Sequence, residues 1–150
     1  MTQPFTGIRV LDFTQVLAGP YSTYQMALLG ADVIKIENPN GGDQGRGLLN
    51  PTPESAAAGM SALTSSVNSG KRSLSLDLKH EASREIIDSL VEQADVLVEN
   101  FKAGAMEKLG FGQERLRALN PRLVYCSISG FGQGGPRSHA AAYDPVIQAA

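Results

Sequence analysis

The sequence predicts an α/β fold: a mostly parallel sheet covered by helices on both faces. Short β-branched and apolar runs alternate with helical stretches, and proline and glycine punctuate those stretches where helices begin and end. Parallel strands need crossover connections, which this spacing supplies.

"GIRVLDF" reads as a first strand buried on both faces, because its apolar run is nearly continuous and bounded by Gly7. "AGPYSTYQMALLGAD" follows as a helix, with Pro20 near its start and Gly30 at its end. "DVIKIE" is the second strand. Residues 38–70 are rich in Gly, Pro, Ser, Asn and Ala and read as a long loop with one helical patch at Ser55–Leu63. "RSLSLDL" is the third strand. The next helix, "HEASREIIDSLVEQAD", lays Ile86, Ile87, Leu90, Val91 and Ala94 along one stripe. "DVLVENF" is the fourth strand, "GAMEKLG" and "GQERLRALN" are short helices, and "RLVYCSIS" is the fifth strand.

A chain of 150 residues fits one domain with a real core. With 13 Lys plus Arg against 15 Asp plus Glu, it has no large positive field for a phosphate backbone, which argues against nucleic acid. The N-terminus lacks a basic stretch followed by an apolar run, and no segment approaches ~18 uninterrupted apolar residues, so a soluble, cytoplasmic protein without a membrane partner is expected. The single cysteine, Cys126, has no metal-ligand neighbour and reads as a buried structural thiol. No metal site is expected.

Ligands of open α/β sheets gather beyond the carboxyl ends of strands, which puts Gln15, Val16, Leu17 and Ala18 in position to line a site. Backbone N–H groups at the following helix start suit an anionic ligand. The glycine cluster at Gly130, Gly132, Gly134 and Gly135 runs into Pro136, not a phosphate-binding helix, so a nicotinamide or flavin site is not expected. It can close over a site or serve as a plain turn. Lys71 and Arg72 precede the third strand, with Asp77 and Lys79 at its end; taken alone, these cations read as solvated charges. Asn100 can hydrogen-bond a purine or peptide edge, Phe101 can stack, and Lys108 can reach a phosphate. His139 reads as a surface residue, and His80 as part of a helix start.

Together, "GIRVLDFTQVLAGPYSTYQMALLGADVIKIE", "GKRSLSLDLK", "ADVLVENFKAGAMEKLGFG", "LNPRLVYCSISGFGQGGP" and "YDPVIQAA" resemble the N-terminal portion of family III CoA-transferases, the formyl-CoA and carnitine CoA-transferase group. The resemblance implies that residues 1–150 form an incomplete Rossmann-like large domain that binds coenzyme A, within a longer subunit that pairs into an interlocked homodimer. It implies CoA contacts at Leu17 and Ala18, at Leu76, Asp77, Leu78 and Lys79, and at Asn100, Phe101 and Lys102, with Lys108 as a phosphate contact. Asn38 falls where some members place an arginine on the nucleotide. Ser129 and Ala141 replace lysines of formyl-CoA transferase, which argues against formyl/oxalate specificity.

The family's reaction moves CoA from an acyl-CoA to a carboxylic acid through mixed anhydrides on an aspartate, with no metal or tightly bound cofactor. That aspartate is expected beyond Ala150, so the chain alone is expected to be inactive. Asp144 corresponds instead to an acid beside the CoA site, where it orients neighbours or caps the helix "PVIQAA". The related 2-methylacyl-CoA racemases carry a catalytic histidine where this chain has Tyr143, and a phenol is a poor base at neutral pH. Racemase activity and a non-catalytic CoA-binding module are the alternatives.

Overall fold

The computed structural model describes residues 2–49 and 52–149. Five strands, β1 (Arg9–Asp12), β2 (Asp32–Glu37), β3 (Arg72–Ser75), β4 (Val96–Glu99) and β5 (Val124–Ser127), form one sheet in the order β3-β2-β1-β4-β5. Every pairing is parallel. The helices are α1 (Ala18–Leu28), α2 (Pro53–Ala57), α3 (Ala62–Asn68), α4 (Ala82–Val91), α5 (Ala105–Leu109), α6 (Gln113–Leu119) and α7 (Asp144–Gln148). The chain builds outward from β1 to β3, then returns to lay β4 on the other side of β1. The reversal puts a crevice between the carboxyl ends of β1 and β4.

The pleat divides the core in two. Leu11, Ile34, Ile36 and Leu97 point to one face and pack with Ile87 and Val91 of α4, Met106 of α5 and Leu116 of α6. Val10, Val33 and Val98 point to the other, with Met26 and Ala27 of α1 against them. Helices therefore cover both faces, as the alternation predicts. Each fully buried aliphatic side chain contributes roughly 1.5–3 kcal/mol. Ile86, which the sequence places on the α4 stripe, is 43% exposed and lies at its margin.

The structure corrects the sequence reading of the fold at three places. Residues 38–70 are not one loop with one helical patch: they contain a 3₁₀ turn at Gln44–Gly47 and two helices, α2 and α3, divided near Met60. Ser61 makes the division, its hydroxyl accepting from Thr64 N as the N-cap of α3 and donating to Gly45 O at 2.6 Å. The third strand stops at Ser75, so Leu76–Leu78 belong to the connection after it. Cys126 is exposed, not buried. Among the described strands β5 pairs only with β4, and the alternation puts Val124, 60% exposed, and Cys126 on the face that the described helices leave bare there. Tyr125, one residue between them, packs into the α4–α6 core.

Candidate functional site

At the carboxyl end of β1, the backbone of Thr14–Val16 is tied down by side chains from four segments. Thr14 N donates to Asp12 Oδ1 at 2.9 Å, and Thr14 O accepts from Lys35 Nζ at 2.7 Å. Gln15 N donates to Asn100 Oδ1 at 2.8 Å while Asn100 Nδ2 donates back to Gln15 O at 2.9 Å. Val16 N donates to Asp43 Oδ1 at 2.9 Å. Asn100 thus spans the crevice between β4 and β1 and holds one residue, Gln15, by the peptide units on both sides of it.

Val16 has φ 70, a left-handed conformation that a β-branched side chain adopts only when its surroundings impose it. The chain then turns directly into α1. Leu17, 50% exposed, is the residue before that helix, and Ala18 is exposed at its first position. The first N–H groups of a helix have no intrahelical acceptor. Pro20 has no N–H and Tyr21 N already donates to Leu17 O, so the donors this start offers to an anion or a carbonyl oxygen are those of Ala18 and Gly19. Gly19 lets the helix pass this close: a Cβ there would lie 2.4 Å from Thr14 Cβ.

Charged side chains are buried beneath this loop. On β1 and β2 the alternation that points Val10 and Val33 toward α1 also points Asp12 and Lys35 inward, to 0% and 2% exposure. Lys71 Nζ lies 2.9 Å from Asp12 Oδ2 and within 2.8 Å of Pro20 O, Thr23 Oγ1 and Asn68 Oδ1. It is a buried, fully partnered cation, which corrects its reading as a solvated charge. Burial pulls the Lys71 pKa below the usual lysine value, against the pull of Asp12. Arg72, its neighbour, does remain at the surface, paired with Asp32 at 2.6 Å. Lys35 Nζ lies 2.8 Å from Asp43 Oδ2, held as an ion pair without an aligned hydrogen bond.

Two strand-end glutamates respond to burial in opposite ways. Burial pushes the Glu37 pKa up, but the hydrogen-bonded Arg46 guanidinium and Asp43 N–H outweigh it and hold the carboxyl down at about 2. Glu99 is raised by burial, which the hydrogen bonds from Ser127 Oγ and Phe101 N only partly offset. For a carboxyl depressed from 4.5 to about 2, the stabilisation is complete above about pH 4.5 and is lost as pH falls toward 2. Glu37→Gln is therefore expected to flatten the acid limb of the stability curve between about pH 4.5 and 2, measured by urea unfolding across that range.

The remaining predicted residues divide into those the fold gathers and those it does not. Gln15, Val16 and Asn100 meet directly. Leu76, Leu78 and Phe101 pack partly buried against the α4–α6 core, so the segments after β3 and β4 share one apolar support. Asp77 Oδ1 accepts from Lys79 N at 2.9 Å and closes the turn into α4. His80 Nδ1 accepts from Ala82 N there, in line with its expected place at a helix start. Lys79, Lys102 and Lys108 are exposed, and Asn38 is exposed with its Oδ1 on Asn40 N.

Tyr143, 64% exposed, and Asp144 start α7, and among the described residues no hydrogen bond or ion pair joins them to Thr14–Val16. Asp144 makes no capping bond; its Oδ2 accepts from Gln148 Nε2 at 2.6 Å, one helical turn on. The glycine-rich loop packs against this helix and the residues before it, since a Cβ on Gly130 would lie 2.9 Å from Ile147 Cδ1 and 2.1 Å from Ala142 Cβ. Gln133 ties the same loop to β5 and β4 by donating to Ser127 Oγ, which donates to Glu99. Sequence reasoning missed Lys35, Asp43 and Glu99. The available signal was their strand alternation for Lys35 and Glu99; Asp43 sits in a glycine-rich stretch that gave none.

A surface depression of about 770 Å³ lies between α5 and α6 and includes none of these loops. The crevice at the topological reversal is thus the better candidate, on chemistry and not on volume.

An open parallel sheet whose first loop is pinned across its reversal point defines a doubly wound α/β domain, a class whose ligands gather at the carboxyl edge of the sheet. The chain belongs to CoA-transferase family III, whose family model matches residues 5–150. It is 47% identical over 147 residues to succinate–glutarate CoA-transferase of Agrobacterium fabrum, covering 97% of this chain and 37% of that protein. It is 44% identical over 150 residues to formyl-CoA:oxalate CoA-transferase of Escherichia coli O6:H1, covering 100% and 35%. The crystal structure of a CAIB/BAIF family protein from Brucella suis superposes with a TM-score of 0.88 at 41% identity, covering 99% of this chain and 39% of that one. The chain therefore spans 35–37% of the length of these two curated relatives. Among the described residues no helix is long and apolar enough to cross a membrane.

Proposed function

We propose that this chain is the coenzyme A-binding part of an acyl-CoA:carboxylate CoA-transferase, in which CoA passes from a thioester to an incoming carboxylic acid. The observation that carries the reading is the pinned Thr14–Val16 loop, which aims the start of α1 into the crevice between β1 and β4. Membership of the family supplies the chemistry.

In this reading Gln15–Ala18 receive the thioester end of the ligand, where helix-start N–H groups stabilise negative charge developing on the carbonyl oxygen. Leu76, Leu78 and Phe101 offer apolar surface to the pantetheine arm. Lys79, Lys102 and Lys108, all exposed near the same sheet edge or on α5, take the phosphates through charge-assisted hydrogen bonds of roughly 1.5–3 kcal/mol each. Asn100 acts chiefly by holding Gln15, because its amide is already engaged there. Asp77 and Asn38 shape their loops, and Tyr143 and Asp144 approach the ligand from α7. An aspartyl nucleophile lies outside this chain's residues, and a cytoplasmic homodimer is the expected setting. Tyr143 in place of a histidine favours the transferase over the racemase reading.

Thermal unfolding with free CoA tests this. CoA at about 100 times its Kd adds about 2.7 kcal/mol, a Tm rise of roughly 5–11 °C for a domain of this size. An unchanged Tm at millimolar CoA would refute a CoA site in this chain.

A further inference from the structure

We propose that Asp43 is a positioning residue: it holds Val16 in the left-handed conformation that turns the chain into α1 at the mouth of the site. The inference rests on the CoA reading only for what the loop binds; the claim about the loop stands on its own geometry.

Asp43 Oδ1 accepts from two backbone groups, Val16 N at 2.9 Å and Gly45 N at 2.7 Å. Its other oxygen lies 2.8 Å from Lys35 Nζ, and Lys35 donates to Thr14 O at 2.7 Å. One ion pair therefore grips the β1 loop at both ends, with Asp43 on Val16 and Lys35 on Thr14. Asp43 is itself held in place: its N–H donates to Glu37 Oε2 at 2.9 Å, and Arg46 clamps both Glu37 oxygens at 2.7 Å. Both side chains of the pair are almost fully buried, at 2% and 1% exposure, so water does not replace either contact.

Backbone chemistry shows why such a brace is needed. A valine at φ 70 relaxes to negative φ unless restrained. Relaxation would rotate the peptide that leads into Leu17 and swing the helix-start N–H groups off the crevice. Asn100 holds the Gln15–Val16 peptide at its oxygen end through Gln15 O, and Asp43 is what holds the N–H end of that peptide, at Val16 itself. Val16 N has Asp43 Oδ1 as its acceptor.

The test separates the acceptor on Val16 from the buried charge. In Lys35→Met/Asp43→Asn the charges are gone but an oxygen remains for Val16 N; in Lys35→Met/Asp43→Ala both are gone. Hydrogen exchange of the peptide over residues 13–19, measured without ligand, is expected to be about tenfold faster at Val16 in the alanine variant than in the asparagine one. CoA affinity by calorimetry is expected to fall about tenfold between the same two, and Val16→Gly added to the alanine variant, which removes the need for a brace, is expected to restore most of it. Equal exchange in the two double variants overturns the proposal. If the alanine variant does not fold, the triple variant decides: refolding on adding Val16→Gly supports the brace and continued failure overturns it. If exchange differs as expected but the unaltered chain shows no CoA binding, the brace stands and the CoA reading alone falls.

Discussion

Replacing Lys71 by methionine is expected to destabilise the domain by about 3–5 kcal/mol, the usual cost of stripping one partner from a buried ion pair. Asp12 is 0% exposed and loses its cation, keeping only hydrogen bonds from Thr14 and Thr23. Pro20 O, Thr23 Oγ1 and Asn68 Oδ1 lose their donor in the same step. Because domains of this kind are stable by only about 5–15 kcal/mol, the change should take away a large share of the total. The adjacent cation is the control. Arg72 pairs with Asp32 at the surface, 62% and 41% exposed, and Arg72→Met should cost no more than about 1 kcal/mol. Urea unfolding of the two variants reads the contrast; equal losses would mean that Lys71 is not the buried brace described.

Asn100→Ala is expected to act on stability and on binding together. It leaves Gln15 N and Gln15 O without their partner across the crevice. An unmet polar group costs about 1–3 kcal/mol, and Gln15 is only half-buried, so a total of about 2–4 kcal/mol is expected. CoA affinity should fall about tenfold or more, because the Gln15–Val16 peptide is then held only at its N–H end, by Asp43. Lys102→Ala offers the comparison: an exposed cation should change CoA affinity and its salt dependence with little change in stability. Calorimetric titration alongside urea unfolding measures both. Full stability in Asn100→Ala would mean that the amide is free for ligand, as its sequence position first suggests.

The fold was legible because each strand carries a short β-branched run and each crossover carries a helix signal, and these are local properties. Thr14–Val16 was legible as a candidate loop from its place after a strand, and Asn100 from its place after another. What escaped is long-range or depends on which way a side chain points. Lys71 reads as a surface cation because nothing local reveals Asp12, fifty-nine positions earlier, waiting on the inward face of β1. Cys126 reads as buried because its neighbours are apolar, yet the exposure of β5 is set by what covers the sheet. Asp43 lies in a stretch whose glycines and prolines read as a long loop, and only the fold brings it under Val16. The clue that was present was Asp12 and Lys35 at inward positions of otherwise apolar strands: a charge there must find a buried partner.

The contacts on Thr14–Val16 also bear on when the site comes into being. They reach 21, 27 and 85 positions along the chain, to β2, the turn after it and the end of β4. Contacts so distant in sequence form only once β2 and β4 have docked on β1, so the loop has its shape only when the middle of the sheet is assembled. Ligand affinity is then a sensitive gauge of the whole domain's integrity: damage far from the crevice that loosens β2 or β4 against β1 would first be felt as a drop in occupancy, before any loss of secondary structure.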